Sequence, residues 1–396
     1  MTLPEPSILI IGAGTFGTST AVHLSKQYRD PTRITLLDRW APDAPVGDKH
    51  AAAVDINRII RTDYEAPLYC DLAHEAIHFW FWSIAVQGHF HKTGWVVLEG
   101  EDGGFGAGVK RTFEERASKH AVNVDASEVV KKNGVLRGLN SEHFSNCYQN
   151  LEAGWCDAAS ATKAYLRTAE SRGVRRVTGE VVELLLDDRK GALRGVRTKD
   201  GQTLIADRVV LAAGAWTSSL LSPVEDALRI DEKDRIERQL TAVGRLSAYY
   251  TLDTQETKDM IESNVPVVVI GGEVDIIPPY YDNRTLKIND LRTEFVNSVT
   301  TPSGKRITAP PKCNQLDVPR QLRQQSEKVI QKVMPQWTEG RRPAGWRICF
   351  DSVTPTEDWL MCRHPDERLS NLYIAAGGSF HSYKWVEDWT LNRRRT

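Results

Sequence analysis

The chain has 396 residues, enough for about two to three domains at roughly 150 residues each, or for one large α/β domain carrying an inserted second one. Its 51 Lys and Arg balance 52 Asp and Glu, so no global field favours nucleic acid or an anionic membrane. Hydrophobic residues make up 41%, but no run approaches the ~18 to 20 apolar residues of a membrane span.

Met1 to Pro6 lacks a basic stretch ahead of the apolar run from Ile8, so no secretory leader is expected. The terminal Arg393-Arg394-Arg395-Thr396 is not a peroxisomal address. Six cysteines are scattered without a CxxC pair, which argues against a disulfide framework or a zinc site. Reduced thiols in a cytoplasmic protein are expected.

Ser7 to Ile11 reads as a short strand entering Gly12-Ala13-Gly14-Thr15-Phe16-Gly17, and Thr18 to Gln27 as the helix that follows. A second strand, Ile34 to Leu37, ends in Asp38, about 20 residues beyond the last glycine. This is a dinucleotide fingerprint in its full strand, turn and helix context. The first glycine permits the turn, the second lets a pyrophosphate approach, and the third lets helix and strand pack closely. The helix N-terminus offers N–H groups to the anion, and Asp38 a carboxylate to a ribose. The motif does not choose between NAD and FAD, but its place at the start of a long chain leans towards a flavoprotein.

Arg58 and Arg61 stand three apart, so on a helical turn they would be neighbours. Asp157 to Arg172 carries a capping Asp and a helical pattern, and short strands follow at Val174 to Thr178, Val181 to Leu186, Leu193 to Arg197 and Thr203 to Ile205. Arg208 to Trp216 is a continuous apolar strand running into a glycine turn, the pattern of a strand buried on both faces. Between about 218 and 345 the pattern changes to strand-like segments at Leu240 to Leu246, Val267 to Ile270 and Leu286 to Ile288, with a helix from Pro319 to Val333. An antiparallel sheet with flanking helices, carrying a lysine, Lys287, at a strand edge, fits that stretch. Leu372 to Ala376 then returns as a strand running into Gly377-Gly378.

Seven segments in order resemble the amine-oxidising flavoproteins of the D-amino-acid-oxidase superfamily, in particular monomeric sarcosine oxidase and the fungal fructosyl amino acid and saccharopine oxidases. They are IIGAGTFG, DINRIIRTDY from Asp55, WCDAASA from Trp155, VVLAAGAWTSSLL from Val209, LKI from Leu286, RICFDSVTPTEDWL from Arg347, and GGSFHSYK from Gly377 to Lys384. The resemblance implies an α/β fold in which a Rossmann-type FAD-binding domain joins a substrate domain built on a largely antiparallel sheet. Residues 1–60, 150–220 and 345–396 are expected in the first, and 61–149 with 221–344 in the second.

The implied cofactor is FAD, held by Gly12, Ala13, Gly14, Thr15, Phe16, Gly17, Asp38, Arg39, Arg58, Val181, Gly214, Trp216, Gly378 and Lys384. Cys349 lies six residues before Pro355 of a Thr-Pro pair, the place where that family joins a cysteine covalently to the flavin. The resemblance further implies that Arg61 and Lys384 grip a substrate carboxylate and that Lys287 assists reaction with O2. His381 and Tyr383 would sit beside the ring and substrate. His50 and Ala51-Ala52-Ala53 replace a stretch that is often serine-containing in relatives and meets the pyrophosphate.

The implied reaction oxidises the C–N bond of a secondary or primary amino acid to an imine, with O2 as acceptor and H2O2 as product. A small-molecule substrate and a monomer are expected. An FAD dehydrogenase with another acceptor and an impaired flavin-binding relic are the competing readings. The relic draws on the polar stretch after Lys384, where relatives continue with an apolar segment and a helix.

Overall fold

Two sheets of different character organise the chain in the computed structural model, which describes residues 4–41, 43–44, 50–187, 192–280 and 283–384. The expected departure from the family after Lys384 lies outside the described residues. The first sheet has six strands in the order Leu360–Arg363, Leu372–Ala376, Arg208–Leu211, Ile8–Ile11, Ile34–Asp38, Arg175–Thr178. All neighbours run parallel except the first pair.

Parallel strands are covered on both faces, and Ile8–Ile11 is accordingly buried at every position. Ile8 and Ile10 pack with Ala21 and Val22 of the helix Thr15–Gln27 and with Tyr165 and Ala169 of the helix Ala158–Ser171. Leu9 and Ile11 point the other way, onto Leu221 and Val224 of the helix Thr217–Ala227 and onto a three-stranded sheet through Leu184, Val196 and Leu204. Asp157 caps the helix Ala158–Ser171, accepting from the Ser160 N–H.

The second sheet has eight strands in the order Gly345–Val353, Thr241–Thr251, Thr285–Phe295, Val274–Ile277, Val267–Ile270, Trp95–Leu98, Tyr148–Asn150, Ala121–Asn123. Only the pairing of Val267–Ile270 with Trp95–Leu98 is parallel. Side chains alternate between its faces. Leu246, Ala248, Leu286, Ile288, Ile348 and Phe350 pack against Ile330 and Val333 of the helix Arg320–Val333. The intervening residues on the three strands at one end are polar: Arg245, Ser247 and Tyr249, then Lys287 and Asn289, then Arg347, Cys349 and Asp351.

Three expectations are corrected here. Arg58 lies on a strand, Arg58–Ile60, paired with Gly154–Cys156, and not on a helical turn; β-branched Ile59 and Ile60 suit that pairing. Lys287 is inside a long strand flanked by Tyr249 and Ile277, not at a strand edge. The strand that carries Cys349, expected with the nucleotide-binding segments, hydrogen-bonds to Thr241–Thr251 in the eight-stranded sheet.

Candidate active site

A cavity of about 1530 Å³ lies where the two sheets meet. This exceeds the ~300 to 1,000 Å³ of a pocket for one small ligand, so it has room for a dinucleotide and a small substrate together. The tips of the parallel strands form one wall, and the polar face of the eight-stranded sheet forms the other.

On the first wall the glycine turn is built as its spacing requires. A Cβ on Gly12, which has φ +102°, would stand 2.4 Å from the Ala212 carbonyl oxygen, and one on Gly17 would stand 1.8 Å from the Gly12 carbonyl oxygen. Gly14 is different, because a Cβ there would meet only the Ala53 methyl at 3.9 Å. Its face is the open one, and it lines the cavity with Thr15 and Phe16. The helix Thr15–Gln27 begins with neither a side-chain cap nor an acidic residue in its first turn, which leaves its N-terminus able to receive an anion. Asp38 ends the next strand, where its carboxylate accepts from the Ala13 N–H at 2.6 Å and the Trp40 N–H at 3.0 Å.

Arg39, Val181, Gly214 and Trp216 also line the cavity, as do His50 and Ala51 to Ala53. Ala13 borders a smaller adjoining pocket, and Gly17 serves packing behind the turn. An open glycine, an uncapped helix N-terminus and a carboxylate at the next strand end together fit the diphosphate and ribose of a dinucleotide.

On the opposite wall Cys349 is buried, and its Sγ accepts from Arg58 Nη2 at 3.0 Å. The Arg58 guanidinium also donates to Asp55 at 2.7 Å and to the Ala52 carbonyl. Lys287, with 0% exposure, donates to Asp55 Oδ2 at 2.7 Å and to the Asn57 carbonyl at 3.2 Å. Burial alone would push the Asp55 carboxyl up, but Lys287, Arg58 and Arg347 hold it well below the usual carboxylate range. Burial pushes the Lys287 ammonium down from its ordinary value, with Asp55 opposing and Arg58 adding to the effect.

Gly378 faces this wall too; a Cβ there would meet Asp351 Oδ2 at 2.7 Å. Burial raises the Asp351 carboxyl to about 6 although it accepts from the Phe380 and Ser352 N–H groups.

Arg61 and Lys384 converge on one aromatic ring. The Arg61 guanidinium carbon stands 4.8 Å from the Tyr64 ring centre and the Lys384 ammonium 4.6 Å from it. Arg61 also lies over Trp95, at 4.8 Å. Lys384 donates to the Tyr64 hydroxyl and, at 2.9 Å, to the His381 carbonyl. Burial, then the like charge of Arg61, lowers Lys384 well below the ordinary ammonium value.

His381 Nε2 stands 2.9 Å from the Glu357 carbonyl oxygen and so carries the proton, leaving Nδ1 to accept from Tyr64 at 3.2 Å. Burial, then Lys384, brings the imidazole down to about 4. Tyr383 lines the cavity with its ring, but its hydroxyl turns away to the Ala158 carbonyl at 2.6 Å.

Residues 7–385 match the family of FAD dependent oxidoreductases, DAO. The chain belongs to that family. Over 96% of its length the oxidoreductase is 24% identical to L-saccharopine oxidase of Schizosaccharomyces pombe, covering 87% of that protein. It is 27% identical to the amino acid oxidase imqH of Aspergillus flavus, with 97% of this chain and 91% of that protein covered. Its fold superimposes on fructosyl amine: oxygen oxidoreductase (amadoriase I) of Aspergillus fumigatus with a TM-score of 0.76 at 27% identity, covering 98% of this chain and 85% of that one.

Several groups of this oxidoreductase's site escaped the motif reading. Asp55, Tyr64 and Asp351 lay inside quoted segments without a role, and Tyr249, Asp275 and Asn289 went unnoticed. For Tyr249 and Asn289 the only signal was period-two polarity inside strands, which by itself reads as a solvent face, and Asp275 is a single acid in the apolar strand Val274–Ile277.

Proposed function

We propose that this oxidoreductase is an oxidase that takes two electrons from the C–N bond of an amino acid carrying a secondary or primary amine, with O2 as final acceptor and H2O2 as product. The observation that carries the reading is the pairing of Arg61 and Lys384 against the Tyr64 ring in the same cavity as Lys287 and Cys349. Relatives whose names specify saccharopine, amino acids and a fructosyl amine with oxygen support it.

FAD, when bound, supplies the two-electron acceptor chemistry that no side chain provides. Gly14 and the helix N-terminus would receive its diphosphate, and Asp38 its ribose. Cys349 would supply the covalent link, with its sulfur oriented by the Arg58 hydrogen bond. The two cations hold a substrate carboxylate, Arg61 through a planar fork and Lys384 as a point charge, and so orient the α-carbon in the cavity. Ile59, Trp95, Phe105, Val269 and Ile277 line the cavity and exclude water from it.

A substrate entering with a neutral amine needs no strong base, and the imidazole of His381 is already engaged by Tyr64. Lys287 places a fixed cation in the wall, where it stabilises the negative charge that develops as oxygen accepts an electron.

The test is to supply N-methyl amino acids to the purified holoenzyme in air and assay peroxide by a coupled peroxidase. The expected result is one peroxide per substrate consumed. Turnover that proceeds only with an added dye acceptor would overturn the oxidase assignment.

A further inference from the structure

Asp55 is 1% exposed and sits at the centre of a charge cluster. Lys287 Nζ and Arg58 Nη1 both donate to its Oδ2 at 2.7 Å. Its Oδ1 accepts from the Tyr249 hydroxyl at 2.9 Å and the Ile56 N–H at 2.7 Å, and faces Arg347 Nη1 at 3.8 Å. Three cations thus share one buried carboxylate. Two of them, Lys287 and Arg58, line the cavity.

We infer that Asp55 is the positioning residue for both cavity cations, holding Lys287 as a charged ammonium in the wall and Arg58 against Cys349. An ammonium removed from water persists only beside a compensating anion. Neither of the other acids on this wall accepts a hydrogen bond from Lys287, whose Nζ donates to Asp55 and the Asn57 carbonyl. Asp275 is bound to Asn289 at 2.6 Å, and Asp351 accepts the Phe380 and Ser352 N–H groups. Without the Asp55 charge, Lys287 loses the carboxylate that accepts its hydrogen bond at 2.7 Å and stays beside the Arg58 cation, which favours release of its proton. The inference rests on the proposed role of Lys287 and adds the group on which that role depends.

The experiment compares Asp55→Asn, Lys287→Met and the double variant as holoenzymes, measuring anaerobic reduction by substrate and reoxidation by O2 separately. Asp55→Asn is expected to slow reoxidation about tenfold or more while reduction stays within about twofold, and the double variant to be no slower than Lys287→Met alone. Asp55→Asn should also lower the fraction of flavin that stays with acid-precipitated protein, because Arg58 is released from Cys349.

Wild-type reoxidation in Asp55→Asn, or an equal loss in both half-reactions, would overturn the inference. If Lys287→Met itself shows no selective loss, the oxidase role of Lys287 fails first. Should Asp55→Asn not fold, Tyr249→Phe removes a single hydrogen bond from Asp55. It should slow reoxidation about two- to fivefold, and no change in it would be equally decisive against the inference.

Discussion

His381 shows how a residue can look like an acid–base catalyst in sequence and act as a neutral anchor in the fold. Its Nε2 is tied to the Glu357 carbonyl, its Nδ1 to Tyr64, and its ring stacks on Trp359 at 5.7 Å. Because its folded pKa of about 4 is below the ordinary ~6.5, the unfolded chain binds the extra proton between those values. Stability that is full above about pH 6.5 is therefore lost as pH falls towards 4. Between pH 7 and pH 5 the wild type should lose of the order of 2 kcal/mol of unfolding free energy relative to His381→Gln in denaturant titrations; the same pH dependence in both proteins would refute this. The cavity residues Arg58, Arg61, Lys287, Cys349 and Lys384 were legible because each sits in a recognisable segment. The part played by Asp55 was not, because no pattern in the chain reveals that its carboxylate meets Lys287, more than two hundred positions away.

At the scale of elements, the opening strand, turn and helix were legible since their signal is local: an apolar run, glycines at fixed offsets, an acid at the next strand end. The eight-stranded sheet was legible only as short pieces. Leu240 to Leu246 proved to overlap Thr241–Thr251 from one residue before it, and Leu286 to Ile288 to lie inside Thr285–Phe295. Their polar alternation marks a face turned to the cavity, a distinction that only the packing of the second sheet creates.

The glycine turn gives a sharp contrast between two neighbours. Gly17→Ala forces a methyl against the Gly12 carbonyl at 1.8 Å and should cost about 3 kcal/mol or more. Gly14 has ordinary strand-like angles, φ -77° and ψ -164°, so Gly14→Ala should leave the apoprotein's Tm nearly unchanged yet weaken FAD binding, since its methyl enters the open face. Thermal melts and FAD titration of the two variants check this. A Gly14→Ala protein that binds FAD normally would contradict the placement of the diphosphate.

At the scale of the whole molecule, the two large sheets share a cavity that neither can form alone. Glycines and Asp38 come from the parallel sheet, Lys287 and Cys349 from the other, and Arg61, Tyr64 and Lys384 from the segments between and after them. A dinucleotide reaching from Asp38 to Cys349 would join the sheets as one ligand. The most direct test is the visible absorbance spectrum of the purified protein, taken before and after acid precipitation. Flavin bands that stay with the precipitate, and that pass to the supernatant in Cys349→Ser, are the predicted result. A protein that shows no flavin bands even after incubation with FAD would contradict it.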